Sequence, residues 1–328
     1  MYRVSFKKER TFTVQYTVWE MHSWRTIGWL IGGSVIGAAI ALVLWRGITP
    51  LLPRAHSEEP PARNEFVVPP YLPTELTFAG EVVPLQYADV REALDYELCV
   101  AANWHSQILQ MLKRSTRYFP EIEQILSQEG VPTDLKYLAA AESSLNERAY
   151  SPSKAAGLWQ FLESAGKEYG LVINSEVDQR YDIERATRAA ATYLKEAYAR
   201  FGSWAMAAAA YNMGQNGLAR VASAQTEGSY FDLHLNLETG RYFYRILALK
   251  LVLEHPTRYG FFLRPEEHYA PLAYTRYPVD STLSDLPAFA KAQGLNYKLL
   301  RQANLWLRTT RLTVNGGEGY QLRLPTAR

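Results

Sequence analysis

The chain of 328 residues has little of the chemistry that usually marks a metal or redox protein. A single cysteine, Cys99, excludes a disulfide within the chain. The six histidines are scattered, and no two of them have the spacing typical of metal ligands. Basic and acidic residues nearly balance, at 35 and 33, so the strong positive charge of a nucleic-acid-binding protein is missing. We therefore expect no metal ion, no cofactor and no nucleic acid partner.

Charged residues are missing from one long stretch, residues 26–45, which runs for twenty residues without a Lys, Arg, Asp or Glu. At about 1.5 Å per helical residue it is long enough to cross a hydrocarbon core of about 30 Å. Trp24, Trp29 and Trp45 lie towards its ends, as expected of an aromatic belt. A cleaved signal peptide is the alternative, but the run is too long and begins too late for one. We expect a transmembrane helix over residues 26–45.

The residues around and within this helix indicate its orientation and one possible contact. Five Lys or Arg residues precede it in residues 1–25, which favours a cytoplasmic N-terminal segment and places the rest of the chain outside. Two GxxxG spacings, Gly28 to Gly32 and Gly33 to Gly37, leave a weak transmembrane homodimer open as a partner interaction.

Proline is concentrated in one region, because eight of the seventeen prolines lie in residues 50–84. High proline density favours extended chain over packed core, so residues 46–88 are predicted to be a tether. Within it, residues 76–85 have the pattern of a short hairpin or an edge strand. From residue 271 the pattern becomes strand, helix, helix, strand, which predicts a small βααβ binding module over residues 271–328.

Between the tether and the module, residues 89–262 have the pattern of a helical domain. Asp89 and Glu92 have the spacing of a capping box that opens a helix to about residue 113, and Pro120 is placed to start another. Later helices are predicted over residues 183–201, 204–213 and 239–253. The fold is therefore expected to be mainly α, with one helical domain and the small βααβ module.

One predicted helix, residues 132–146, carries a carboxyl group on a face that should be buried. Leu135, Leu138, Ala139 and Glu142 fall at i, i+3, i+4 and i+7, which is one face at the helical period. Burial disfavours the charged form, so the pKa of Glu142 should be raised, as a general acid requires. An ion pair between Glu142 and a buried Arg or Lys is the alternative.

Three short motifs follow one another along the helical domain: Glu142-Ser143, then GLWQ at residues 157–160, then AYN at residues 210–212. Together they resemble the motifs of lytic transglycosylases with a lysozyme-like catalytic domain, of the membrane-bound murein transglycosylase D type. The resemblance covers about residues 90–260 and implies a lysozyme-like helical fold that acts on peptidoglycan. Residues 271–328 resemble, more weakly, a LysM module, which in such enzymes binds peptidoglycan sugars.

The resemblance also implies roles for individual residues and a location. Glu142 corresponds to the acid–base residue of the family, and the chain is placed in a bacterial inner membrane with its catalytic domain in the periplasm. The residues implied to bind substrate are Ser151, Trp159, Gln160, Tyr211, Asn212, Glu238 and Tyr242. Trp159 is equally compatible with core packing. Gln160 needs a hydrogen-bond partner, and a sugar amide or the Glu142 carboxyl would serve.

The matched motifs supply one carboxylate, whereas glycoside hydrolysis usually needs two. Glu147 and Glu163 lie nearby in the sequence and are predicted to be solvated surface charges. In the family, the N-acetyl group and the C6 hydroxyl of the substrate complete the reaction. The implied function is non-hydrolytic cleavage of the MurNAc–GlcNAc β-1,4 bond, giving 1,6-anhydromuramoyl ends. A lysozyme- or chitinase-like hydrolase and a non-catalytic scaffold that binds the cell wall are the alternatives.

Overall fold

The computed structural model describes residues 68–315 and 319–326. The predicted transmembrane helix at residues 26–45, its GxxxG spacings and most of the predicted tether lie outside the described residues. Within residues 68–315 and 319–326, no helix is long and apolar enough to cross a membrane.

The first two helices begin and break at positions other than those predicted. Helix α1 (Ala88–Asn103) starts before Asp89 without any side-chain cap, so the predicted capping box is wrong. The chain turns at Trp104, where ψ is 54°, and helix α2 (His105–Gln128) then continues through Pro120 instead of starting there. A proline inside a helix removes one hydrogen bond. The loss is tolerated because buried side chains of α2 lie on both sides of Pro120 and pack as one continuous face.

Glu142 lies on helix α3 (Lys136–Ser143), which follows a 3-10 turn at Thr133–Leu135. Leu138 and Ala139, on the same face as Glu142, are completely buried, as is the leucine that ends the 3-10 turn. The predicted apolar face is therefore confirmed. It carries the Glu142 side chain towards the interior of the helical domain.

Helix α3 is shorter than the predicted helix at both ends. Pro132 has a ψ of 137°, so it precedes the first turn in extended conformation. Ser144 and Leu145 have φ values of +52° and +55°, in the left-handed region that helices do not continue through. Glu142 therefore stands in the last turn of α3, where the chain leaves the helix.

Five further helices complete the described part of the helical domain, and side chains cap three of them. The helices are α4 (Glu163–Glu168), α5 (Ile183–Phe201), α6 (Trp204–Met213), α7 (Gln215–Gln225) and α8 (Leu237–Glu254). Asp182, Ser203 and Asn236 accept hydrogen bonds from backbone N–H groups in the first turns of α5, α6 and α8. The predicted α5 and α6 are confirmed, and α8 begins two residues earlier than predicted because Asn236 caps it.

Helix α8 occupies the centre of this arrangement. Helix α1 packs along it, α3 and α6 contact it, and α5 packs on α6. The buried side chains of α8 belong to the main hydrophobic core. The connections also contain short 3-10 helices at Gln179–Tyr181, Pro256–Tyr259 and Pro265–Glu267.

The predicted hairpin is present ahead of α1. Strands β1 (Thr77–Phe78) and β2 (Glu81–Val82) pair antiparallel. The Glu81 carboxylate accepts two hydrogen bonds from the backbone N–H of Trp204, at 2.8 and 3.0 Å, at the N-terminus of α6. A negative charge is favourable at that end of a helix, so the hairpin is held against the helical domain.

The C-terminal residues form the predicted βααβ module. Strands β3 (Tyr274–Val279) and β4 (Tyr320–Pro325) pair antiparallel along their whole lengths, and helices α9 (Leu286–Ala292) and α10 (Tyr297–Ala303) lie between them in sequence. These elements enclose a second hydrophobic core, separate from that of the helical domain.

The module is joined to the helical domain by more than the connecting chain. Val177, which precedes α5, is buried in the core of the module and forms a β-bridge with Leu307. The backbone N–H of Asp178 donates to the Trp306 carbonyl at 2.8 Å. The Glu176 carboxylate accepts a hydrogen bond of 2.8 Å from the backbone of the module. The described residues of the two parts consequently form one compact unit.

One buried side chain links this junction to residues 147–161, here named the motif loop because they contain the GLWQ motif. Arg180 donates two hydrogen bonds to Asp178, at 2.9 and 2.8 Å. The same guanidinium donates to the carbonyls of Lys154 and Phe161 at 2.8 and 3.2 Å. Both partners of the ion pair are buried. Arg180 therefore holds both ends of the second half of the motif loop to the segment that contacts the module.

The motif loop also approaches this segment through a glycine. Gly157 has a φ of +77°, and a Cβ placed on it would lie 1.9 Å from the carbonyl oxygen of Arg180. Backbone atoms must move to relieve such a contact. The glycine is required both for its conformation and for its close approach.

We predict that Gly157→Ala will destabilise the protein by about 3 kcal/mol or more, because left-handed strain and a backbone clash add together. Gly170→Ala is the matched control, because Gly170 has a φ of +83° but open space around its missing side chain. It should lose only about 1–2 kcal/mol. Urea unfolding measures both. Equal losses would show that the contact with Arg180 contributes nothing.

Candidate active site

Four elements meet around the Glu142 carboxyl group: the end of α3, the motif loop, the end of α6 and the start of α8. The hydroxyl of Tyr242 on α8 donates a short hydrogen bond to the Glu142 carboxylate. Tyr211 on α6 lies close enough for the Glu142 charge to raise the pKa of its phenol, after burial as the main cause. The three sequence motifs are therefore brought to one place by the fold.

Glu142 has the raised pKa that its position on the apolar face predicts. Burial removes water from the carboxylate and raises its pKa from 4.5 to about 7. The hydrogen bond from Tyr242 and the positive charge of Arg245 oppose this rise, while the negative charge of Glu238 adds to it. Arg245 makes no ion pair with Glu142, so the alternative of a structural pair does not apply. A carboxyl with this pKa exchanges protons near neutral pH.

Tyr242 contacts the acid itself and is not open to substrate. Its side chain is almost completely buried, and its hydroxyl donates to Glu142. The predicted role in substrate binding is therefore corrected to a role in holding the catalytic candidate. Glu238, one turn earlier on α8, has a mostly exposed side chain and lies 3.6 Å from Arg245. Of these two predicted residues, only Glu238 is accessible.

Tyr211 and Asn212 connect α6 to its neighbours. The Tyr211 hydroxyl donates to the backbone carbonyl of Trp159 at 2.7 Å, which fixes the motif loop against α6. The side-chain oxygen of Asn212 accepts a hydrogen bond of 2.8 Å from the Thr239 hydroxyl in the first turn of α8. The Asn212 amide donates no hydrogen bond to a described residue, so its N–H groups remain open to a ligand.

Trp159 is the clearest correction among the predicted site residues. Its side chain is 0% exposed, and its indole N–H donates to the Thr187 hydroxyl on α5 at 2.9 Å. An aromatic ring with no exposed face cannot stack on a sugar. Of the two roles left open by the sequence, the structure shows core packing.

Gln160 and Ser151 take part in the internal hydrogen bonding of the motif loop. The Gln160 amide donates to the carbonyls of Gly157 and Ala149, at 2.8 and 3.3 Å, and not to Glu142. Its backbone has a φ of +49°. The Ser151 hydroxyl accepts a hydrogen bond of 3.0 Å from the backbone N–H of Ala155. Both residues shape the loop, and the Gln160 amide oxygen accepts no hydrogen bond from the described residues.

Two residues of the site were missed in the sequence, Arg245 and Glu97. Arg245 follows Glu238 and Tyr242 at i+7 and i+3, so helical periodicity on α8 would have placed it on the same face. Glu97 on α1 is only 2% exposed and accepts a 2.6 Å hydrogen bond from Arg241. Its burial depends on the packing of α1 along α8, which no local pattern predicts.

The chemistry available at the site centres on the Glu142 carboxyl group, whose pKa lies near 7. Glu163 is exposed and paired with Lys167 at 2.7 Å, as predicted for a surface charge. Glu147 is less exposed than predicted, with 25% of its side-chain surface accessible, and it lies 3.6 Å from Arg148. Neither makes a hydrogen bond with Glu142. Within the described residues, no cluster of His, Cys, Asp or Glu has the arrangement of a metal site.

Two families match this chain in the regions that contain the site and the module. Residues 120–232 match the Transglycosylase SLT domain, and residues 275–328 match the Soluble lytic transglycosylase C-terminal LysM-like domain. The two matches confirm the resemblance that the motifs and the C-terminal residues indicated. Glu238 and Tyr242 lie beyond the matched part of the SLT domain.

Curated relatives carry the same indication. The chain is homologous to membrane-bound lytic murein transglycosylase D of Escherichia coli K12, with 27% identity over 208 residues, which is 62% of this chain and 45% of the relative. The protein of the same name from E. coli O6:H1 gives the same values. The chain thus spans about half the length of the curated relatives that it matches.

Two solved structures also align with parts of the chain. The 70 kDa soluble lytic transglycosylase SLT70 from E. coli has 20% identity and a TM-score of 0.38, covering 50% of this chain and 30% of that one. An inactive mutant of lytic transglycosylase Slt from Pseudomonas aeruginosa has 19% identity and a TM-score of 0.36, covering 46% and 26%.

The raised pKa of Glu142 predicts a pH-dependent cost to folding. Between pH 4.5 and about 7 the folded protein holds a proton that the unfolded chain has released. The stability due to this proton is fully present below pH 4.5 and is lost as the pH rises through 7. Glu142→Gln does not titrate and can still accept the hydrogen bond of Tyr242. The difference in free energy of unfolding between the variant and the unmodified protein should therefore shift in favour of the variant by on the order of 2–3 kcal/mol from pH 4 to pH 8.

Urea unfolding at both pH values measures this gain. Glu266→Gln is the control, because Glu266 is an exposed carboxylate with 69% of its side-chain surface accessible. Its substitution should shift stability by less than about 0.5 kcal/mol at either pH. A Glu142→Gln variant that gains no stability at pH 8 would contradict the burial of a charge there.

Proposed function

We propose that this protein is a lytic transglycosylase that cleaves the MurNAc–GlcNAc β-1,4 bond of peptidoglycan without water. The observation that carries the proposal is the Glu142 carboxyl group, which Tyr242 holds at the meeting point of the motifs and whose pKa desolvation raises to about 7. The SLT domain match and the homology to a lytic murein transglycosylase support the substrate class. The proposed reaction uses no metal ion and no cofactor.

The proposed reaction uses Glu142 twice. As an acid it donates a proton to the oxygen between the two sugars, and the bond from that oxygen to C1 of MurNAc breaks. The N-acetyl group of the same sugar stabilises C1. The ionised Glu142 then accepts the proton of the C6 hydroxyl, whose oxygen forms a new bond to C1. Atoms balance without water, and the product end is 1,6-anhydromuramoyl. A pKa near 7 suits both steps.

The substrate contacts follow from which polar groups remain open. The Gln160 amide oxygen and the Asn212 amide N–H groups are not used by described residues, so they are assigned to hydrogen bonds with the sugar. Ser151 shapes the motif loop and presents its hydroxyl proton to the acetamido group. Tyr211 fixes the loop through its hydroxyl. Glu238, at the exposed rim, is assigned to the outer edge of the glycan site.

Hydrolysis of the same bond by a lysozyme-like mechanism is the competing reaction. It would need a second carboxylate placed to activate a water molecule. The carboxylate whose charge acts on Glu142 is that of Glu238, which is exposed and lies beside Arg245. This arrangement favours the reaction with one carboxylate.

Product analysis separates the two reactions. Purified sacculi digested with this protein should release fragments with anhydro ends, which are lighter by one water than the reducing ends of a hydrolase. Glu142→Gln should lower the rate by at least about a hundred-fold, because general acid–base help is lost. The control is Glu163→Gln at an exposed position, which should keep the native rate. Reducing ends in place of anhydro ends would overturn the proposal in favour of a hydrolase.

The proposed location is the periplasmic face of a bacterial inner membrane, with residues 26–45 as a single anchor. It rests on the sequence of residues 26–45 and on the membrane-bound relatives. The LysM-like module is assigned to binding of glycan strands. Both placements put the Glu142 site beside its proposed substrate.

The membrane topology has a direct test. A reporter enzyme that is active only outside the cytoplasm, fused after residue 59, should be active, because residues 26–45 carry the fusion point across the membrane. The matched control is a fusion after residue 25, which should be inactive. A reporter that is active when fused after residue 25 and inactive when fused after residue 59 would show the opposite orientation. The site would then lie in the cytoplasm, where it could not reach the proposed substrate.

A further inference from the structure

A cavity of about 370 Å³ lies between α1 and α8, next to the Glu142 site. Its volume falls in the range of small-molecule binding sites, which are mostly apolar with a few placed polar groups. One side is apolar, and the other side holds three charged groups. The lining residues are Glu97, Val100, Ala101, Asn103, Trp104, Arg241, Arg245, Ala248 and Leu249.

The charged side of the cavity holds two guanidinium groups and one buried carboxylate, and the Glu238 carboxylate lies close to one of the guanidinium groups. Glu97 is buried and is held by Arg241 at 2.6 Å. Arg245 lies 3.8 Å from the same carboxylate and 3.6 Å from Glu238, both longer than a hydrogen bond. Its guanidinium donates no hydrogen bond to any residue of the described part. Two guanidinium groups thus share the buried Glu97 carboxylate, and Arg245 forms long ion pairs with Glu97 and Glu238 while its N–H groups donate no hydrogen bond within the described residues.

Arg245 also connects the cavity to the reacting centre. It stands one turn after Tyr242, which holds Glu142. Its charge is close enough to act on the Glu142 carboxylate. A ligand group bound by Arg245 in the cavity would therefore lie close to a sugar bound at Glu142.

The apolar side opens to solvent. Val100 and Trp104 are 42% and 45% exposed, which is high for such large apolar side chains on a helical surface. Trp104 stands at the break between α1 and α2, where the chain turn presents its ring. An exposed apolar wall in the same cavity as a guanidinium whose N–H groups donate no hydrogen bond fits a ligand that has small apolar groups at one end and a carboxylate at the other.

We propose that this cavity binds the peptide substituent of the glycan, a short chain of small apolar and carboxylate-bearing residues attached through a lactyl group. The proposal rests on the proposed function, because it assumes a peptidoglycan substrate. The carboxylate pairs with Arg245, and the methyl groups pack against Val100 and Trp104. A neutral sugar ring offers no carboxylate that could accept hydrogen bonds from the Arg245 N–H groups, so the peptide is the better fit.

The first test measures binding without cleavage. Calorimetry with the Glu142→Gln protein uses two synthetic probes, an N-lactyl alanyl–glutamate peptide and the same peptide with its carboxylates amidated. The acidic peptide should bind at least 10-fold more tightly, because only a carboxylate matches the guanidinium fork. Equal binding of the two probes, or binding of neither, would overturn the proposal even if the protein cleaves glycan.

The second test compares cleavage of glycan fragments with and without peptides. Val100→Asp places a negative charge on the cavity wall and should lower kcat/KM at least 10-fold for peptide-bearing fragments, by raising KM. The kcat/KM for peptide-free fragments should stay unchanged. Val172→Asp is the matched control, because Val172 is similarly exposed at 38% and does not line the cavity.

The outcomes separate the two proposals. A Val100→Asp protein that loses activity equally on both fragments would show that the cavity contacts the sugars and would overturn the peptide site. Wild-type protein that cleaves neither fragment would overturn the proposed function, while the binding test with the free peptide still decides on the cavity. Urea unfolding midpoints of both valine variants show that any difference arises in folded protein.

Discussion

The buried ion pair between Arg180 and Asp178 is the contact on which the arrangement of the site depends. Two charges in the interior are unfavourable unless hydrogen bonds satisfy them. Here the Arg180 side chain donates four hydrogen bonds, two to the Asp178 carboxylate and one to each of two carbonyls of the motif loop. Asp178 contacts the module through its backbone. One ion pair thus connects the motif loop, which contains Gln160, to the segment that contacts the module. Loss of either charge would leave its partner buried alone, which typically costs about 3–5 kcal/mol.

The contacts of Arg180 support a site whose own conformation and desolvated carboxyl group cost folding free energy. The Glu142 carboxyl group lies where desolvation disfavours its charged form. Ser144 and Leu145, just after it, and Gln160 in the motif loop have left-handed backbone conformations. Each such residue costs on the order of 1–3 kcal/mol and persists only where the surrounding structure determines it. The hydrogen bonds of Arg180 and Tyr211 to the motif loop provide that support. The folding energy lost at the site is offset by contacts made outside it.

A local pattern in the sequence was sufficient for several elements. The face of α3, the extent of α6 and the strands of the module follow from periodicity, and all are present, whereas the capping box at Asp89 and Glu92 is not. It was insufficient where partners come from distant elements. Trp159 is buried because Thr187, 28 residues later, accepts its indole hydrogen bond. Helix α2 continues through Pro120 because its packed face outweighs one lost hydrogen bond.

The junction between the helical domain and the module is a further feature that no local pattern in the sequence indicates. A module on a flexible tether raises the effective concentration of its partner whatever the spacing of the two sites, within the reach of the tether. Here Val177 of the helical domain completes the core of the module, and Glu176 and Asp178 bond to its backbone. The two parts therefore hold one fixed spacing. Under the proposed function, a glycan strand would gain from binding both parts only if its own repeat matched that spacing.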